Sequence, residues 1–207
     1  MTQQIRSGEN RMITVVPRIL GFLFYYSPSH PAMANILPAI SELTDFFEDA
    51  QQENIRQHIA PINIDDRSLL EHDYSTLFEG IGEMPAPPWG SVYLEPENIV
   101  MGATTLRYRQ FLNQHAIALN TEMNEPDDQF GLMLLAFVEM LESEKYDAAA
   151  ELLQVHLLPW GDRYLQAVQE TEKLSSFYPQ LAKVAQVYLA DIAKLFEVTP
   201  AKSQLYR

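Results

Sequence analysis

A chain of 207 residues that is 47% hydrophobic and contains no cysteine is long enough to bury a core without disulfide staples, in one domain spanning 1–207, and it excludes thiolate metal sites and a cysteine nucleophile. Its 14 basic residues against 28 acidic ones leave a formal charge of −14. That field disfavours nucleic acid as a partner and favours encounter with basic ligands such as an arginine-bearing peptide. The opening MTQQIRSGENRM lacks the layout of a secretory signal, and no apolar run reaches the roughly 18 to 20 residues of a membrane span. A cytoplasmic protein without stable membrane insertion is expected.

After a polar start, ITVVPRILGFLFYY (13–26) predicts a core helix with Pro17 near its beginning and SPSHP ending it. Its neighbouring Tyr25 and Tyr26 should face different directions. A second helix is expected to begin near Pro38, with Ile40, Leu43, Phe46 and Phe47 inward, followed by a short polar helix over 51–59. Leu70, Tyr74, Leu77 and Phe78 recur at helical spacing behind an Asp65-Asp66 start signal.

The chain then changes character. Gly80 and Gly82 break the periodicity, and Pro85, Pro87 and Pro88 force an irregular, stiff loop carrying Trp89 and Tyr93. Aromatics on a pre-ordered backbone make good recognition surfaces, although both rings could equally plug a core. Ser91 to Leu94 is the one stretch with extended character.

Further on, 104–116 reads as a helix with Tyr108, Phe111 and Leu112 on one side, leaving Arg107 and Arg109 for solvent or a carboxylate. Asn124-Glu125-Pro126-Asp127-Asp128 carries the cap residue, proline and acids of a helix start. In the FGLMLLAFVEML that follows, only Glu139 is charged, so this helix should be the buried, central one. Two helices separated at HLLPW are expected over 146–174, and a last one over 180–196 with Leu181, Val184, Ala185, Tyr188 and Leu189 inward. Nothing decides between docking and fraying for the following TPAKSQLYR. Helices throughout, with almost no alternating segment, predict an all-α bundle.

Catalytic signals are thin. The five histidines make no zincin pair, Gly80-Ile81-Gly82 does not lead into a phosphate-binding helix, and Ser91 lacks a nucleophile elbow. Asp65-Asp66 and Asp127-Asp128 suit helix caps better than acid/base pairs. The enzyme alternative is a metal-dependent phosphohydrolase built on His72 and Asp73, with His58 and Asp128 completing the ligand set. A scaffold that self-associates through its aromatics is a third reading. The recognition material is Tyr74, Leu77, Phe78, Trp89 and Tyr93 beside Asp127 and Asp128, suited to an apolar peptide whose arginines pair with carboxylates.

The block Tyr74-x-x-Leu77-Phe78-Glu79-Gly80 followed by Met84-Pro85-Ala86-Pro87-Pro88-Trp89-Gly90-Ser91-Val92-Tyr93 resembles the TorD/DmsD family of cytoplasmic chaperones for molybdoenzymes, on its DmsD side. So do Leu20-Gly21-x-Leu23-Phe24-Tyr25-Tyr26-Ser27-Pro28, Thr105-Leu106-x-x-Arg109-Gln110, Asn124-Glu125-Pro126-x-Asp128 and His156-Leu157-x-Pro159-Trp160. The resemblance implies an all-helical monomer or small homo-oligomer, not an enzyme and with no cofactor of its own. Such a protein binds the twin-arginine leader of a dimethyl sulfoxide reductase-type catalytic subunit, and holds that subunit until its molybdenum cofactor is loaded and the export machinery receives it. Leader binding carries over onto Leu77, Phe78, Pro88, Trp89, Tyr93, Gly102, Pro126 and Asp128, with Tyr74 as a groove member. Gln129 stands where the family has histidine, and a glutamine keeps a neutral hydrogen bond but cannot titrate.

Overall fold

A computed structural model describes residues 11–80, 84–119 and 125–207. Among these the chain forms nine α-helices and no β-strand: α1 (Arg11–Tyr25), α2 (Asp49–Ile59), α3 (Arg67–Phe78), α4 (Gly90–Leu94), α5 (Ala103–Gln114), α6 (Phe130–Glu142), α7 (Tyr146–Glu151), α8 (Leu158–Glu170) and α9 (Phe177–Leu195). The polar start at 1–10 and the readings placed on Gly82 and Asn124 lie outside the described residues.

The centre is α6, with 10 of its 13 residues buried, as a helix apolar on nearly every side requires. Along it lies α1, and the two meet at a pair of glycines. A Cβ on Gly131 would stand 2.7 Å from the Gly21 carbonyl oxygen, and one on Gly21 would stand 2.8 Å from Leu135. The backbones therefore touch without intervening side chains. α9 packs against α8, α2 and α1, burying Leu181, Val184, Ala185, Tyr188 and Leu189 as expected. The buried apolar side chains make one continuous cluster to which every helix contributes.

Local chemistry changes several expected boundaries. Pro17 lies inside α1 rather than near its start. Its missing N–H leaves the Ile13 carbonyl without a helical donor, and the buried Tyr188 hydroxyl of α9 donates to that oxygen at 3.5 Å. Ile40–Phe46 is a 3₁₀ helix, not an α-helix. Its three-residue repeat aligns the buried Ile40 and Leu43, while Phe47 is buried and Phe46 only partly so.

The expected break at HLLPW does not occur. A π-helical stretch, Leu152–Leu157, joins α7 to α8, and its wider turn absorbs Pro159, with the Trp160 indole N–H donating to the His156 carbonyl at 2.8 Å. The segment 199–207 docks rather than frays: the Ala201 N–H donates to the Gln154 carbonyl at 2.8 Å and the Tyr206 N–H to the Tyr93 carbonyl at 2.9 Å.

Candidate functional site

The site is built where the end of α3, the proline-rich loop and the start of α6 converge. The carboxylate of Asp66 caps α3 by accepting the Leu69 N–H at 3.0 Å, which bears out the start signal. At the other end Gly80 takes φ +66°, a left-handed conformation that favours glycine and turns the chain out of the helix. The loop is then stitched to α6. Gly90 N–H donates to the Asp128 carbonyl at 3.0 Å and Phe130 N–H to the Pro88 carbonyl at 2.8 Å, pairing Trp89 with Gln129 in an isolated antiparallel bridge.

Trp89 and Gln129 are extended, whereas the SVYL stretch that reads as extended is helical. Its first turn is held by the Asp128 carboxylate, which accepts the Ser91 N–H at 2.7 Å. Burial pushes the Asp128 carboxyl above the usual carboxylate range, opposed by its bonds to Ser91 and Thr105. Asp128, just before α6, therefore caps a different helix from the one it precedes. The cap of α6 is Gln129, whose side-chain oxygen accepts the Leu132 N–H at 2.9 Å while its amide nitrogen donates to the Phe24 carbonyl at 2.6 Å. Both contacts use a neutral group that is donor and acceptor at once.

Beside this stitch opens a hollow of about 400 Å³ lined by Tyr25, Tyr74, Phe78, Glu79, Gly80, Trp89, Glu125 and Gln129. The rings of Tyr74 and Phe78 lie 4.9 Å apart, and the Tyr74 hydroxyl donates to the Tyr25 carbonyl at 2.7 Å. Burial raises the Tyr74 pKa, so the phenol stays protonated and keeps that bond. The Trp89 indole N–H donates to Glu125 at 2.5 Å. Burial pushes the Glu125 carboxyl upward, and the indole bond pulls it back. Glu79, at the exposed end, accepts the Ser75 hydroxyl at 2.6 Å. Neither Glu79 nor Glu125 has a basic partner among the described residues. An aromatic floor with two carboxylates that lack counter-ions among the described residues can take a cationic group flanked by apolar side chains.

The residues nominated from the sequence divide by position. Tyr74, Phe78, Trp89 and Gln129 line the hollow. Leu77 and Tyr93 are fully buried, so they support the site from within; Tyr93 stacks on Trp160 at 5.5 Å. Pro88 contributes its carbonyl to the bridge, and the Pro126 carbonyl accepts the Gln129 N–H at 3.1 Å. Gly102 precedes α5, and its missing side chain leaves room for the Glu95 carboxylate, which a Cβ would approach to 2.7 Å. That carboxylate caps α5 through Thr104, accepting its N–H at 2.5 Å and its hydroxyl at 2.7 Å. Asp127 pairs with Arg109 at 2.5 Å. The acids of the hollow, Glu79 and Glu125, were missed as site residues although both fall within the strings that carry the family resemblance.

A second cavity, of about 340 Å³, has a lining that includes Gly90, Leu94, Arg107, Tyr108, Asp128, His156 and Trp160. Residues Ala201, Ser203, Gln204 and Tyr206 of the docked segment form its outer wall.

The phosphohydrolase ligand set does not assemble. Asp73 is fully buried and accepts both the Ser175 N–H, at 2.9 Å, and the Ser175 hydroxyl, serving the start of α9, while the adjacent His72 is exposed. Among the described residues no group of three or more His, Asp or Glu side chains converges as a metal site.

Residues 40–166 match a family model described as nitrate reductase delta subunit. The chain is 33% identical over 175 residues to the probable Tat proofreading chaperone DmsD of Haemophilus influenzae, covering 83% of this chain and 85% of that protein. It is 32% identical over 197 residues to the Tat proofreading chaperone DmsD of Salmonella typhimurium, covering 93% and 95%. Similarity extends to the chaperone protein TorD of Actinobacillus succinogenes, 26% identical over 138 residues, covering 66% and 70%. These relatives are named as chaperones rather than enzymes, and with that fold, that match and that identity the chain belongs to the TorD/DmsD family of chaperones.

Proposed function

We propose that the chain, acting as one chaperone domain in the cytoplasm, binds the twin-arginine leader of a redox enzyme of the dimethyl sulfoxide reductase type and holds its catalytic subunit through cofactor loading until export. The observation that carries this reading is the hollow beside the proline-rich loop, where Glu79 and Glu125 lack basic partners among the described residues and stand against Tyr74, Phe78 and Trp89. A guanidinium pairs with carboxylates through two parallel N–H bonds and stacks on aromatic faces, while the leader's apolar stretch covers the rings. The names of the similar chaperones support the same partner class.

Titration calorimetry with a synthetic twin-arginine leader tests the proposal. Binding in the micromolar range or tighter is expected, weakened about tenfold or more by Glu125→Gln and by Trp89→Ala, and by replacing the leader's two arginines with glutamine. No heat at tens of micromolar, or an unchanged affinity for the arginine-free leader, would refute it.

A further inference from the structure

We propose that residues 199–207 are a built-in occupant of a second peptide-binding groove, and that an arginine-bearing extended segment competes with them for it; the nature of the competitor rests on the chaperone reading above. The segment is held as a bound peptide would be. Two of its main-chain N–H groups, of Ala201 and Tyr206, donate to the carbonyls of Gln154 and Tyr93 at 2.8 and 2.9 Å. Such bonds do not depend on side-chain identity, so any extended chain can make them. At its end the Arg207 guanidinium donates to the carbonyls of Met84 and Pro85 at 2.8 and 3.2 Å. Those carbonyls belong to the loop that carries Trp89, so one loop presents an arginine-accepting surface to this segment and an aromatic ring to the acidic hollow.

The fit is incomplete. Leu205 and Tyr206 stay 40% and 39% exposed, and the cavity of about 340 Å³ beneath the segment remains open. Tyr108 lines that cavity, and its buried hydroxyl has no hydrogen-bond partner among the described residues. A loosely seated occupant over an unfilled, partly polar cavity is one that a better-fitting peptide can displace. The acidic balance of the chain favours a basic competitor.

The test uses the full chain. Amide exchange is followed by mass spectrometry with and without a synthetic twin-arginine leader, whose binding is verified by calorimetry in the same buffer. Displacement predicts that the Ala201 and Tyr206 amides exchange at least tenfold faster when the leader is bound; unchanged exchange with the leader bound overturns the inference and leaves the leader reading intact. If the leader does not bind, that reading falls and a second arm decides the groove. A chain loosened by Ala201→Pro and Arg207→Ala should bind a synthetic peptide of residues 199–207 at least fivefold more tightly than the unaltered chain does. Equal affinity for the two, or binding to neither, overturns the inference.

Discussion

Asp128 holds the site together through an N–H that has no other acceptor among the described residues. Replacing it with alanine strands the Ser91 amide at the start of α4 and should cost about 1–3 kcal/mol, together with leader affinity. Asp128→Asn keeps an acceptor oxygen and removes a charge whose burial is unfavourable, so its stability should fall within about 1 kcal/mol of the parent and its leader affinity should be unchanged. Thermal unfolding and calorimetry on both variants check this; a stable Asp128→Asn chain that has lost affinity would make the carboxylate a direct ligand.

His156 gives a pH signature. Half-buried beside the rings of Phe111 and Tyr108, at 4.7 and 5.2 Å, it is pushed down to about 4 by burial first and the Arg107 charge second. The unfolded chain takes up that proton near pH 6.5 and the folded chain only near 4. The contribution is therefore fully present above pH 6.5 and is lost as pH falls toward 4, on the order of 2 kcal/mol. Denaturation of His156→Phe across that window should show a flatter pH dependence than the parent. The raised carboxyls of Asp128 and Glu125 act with the opposite sign, since the unfolded chain releases those protons first as pH rises.

Among the elements, the contact of α1 with α6 controls the site, because Gln129 bonds across it to Phe24. A Cβ on Gly131 would meet two backbone atoms, the Gly21 oxygen at 2.7 Å and the Phe24 carbonyl carbon at 3.0 Å, besides the Gln129 side-chain oxygen at 3.1 Å, so the helices must separate. Gly131→Ala should cost about 1–3 kcal/mol. Gly21→Ala, whose nearest obstacle is the movable Leu135 side chain, should cost less. Urea denaturation gives the order, and a Gly131→Ala chain as stable as the parent would show that the helices can part freely.

The positions of most helices were legible in the sequence because their apolar residues recur at helical spacing; α6 and α9 are the clearest cases. What was not legible depends on partners distant in the chain. The helical fate of Ser91 to Leu94 is decided by a carboxylate 37 residues away, and the uninterrupted passage through Pro159 by a π turn that no pattern of apolar residues marks. For the site, the aromatics Tyr74, Phe78 and Trp89 could be read from their setting. Glu79 and Glu125 could not, because a carboxylate without a counter-ion is recognised only once its neighbours are known.

For the whole molecule the net charge of −14 acts at long range. Charges farther apart than about 8 Å are largely screened at physiological ionic strength. Raising salt from about 50 to 500 mM should therefore slow association with an arginine-bearing leader by roughly tenfold and leave dissociation nearly unchanged. Stopped-flow mixing measures both rates; a salt-independent association rate would show that the acidic surface plays no part in capture.

Pro17 has a consequence for the order in which the molecule is made. The oxygen it leaves over at Ile13 is served by Tyr188, 175 positions further along, so the opening turn of α1 cannot complete its bonding until α9 has been synthesised. A nascent molecule on the ribosome carries an unfinished helix until α9 has emerged, folds back and closes it.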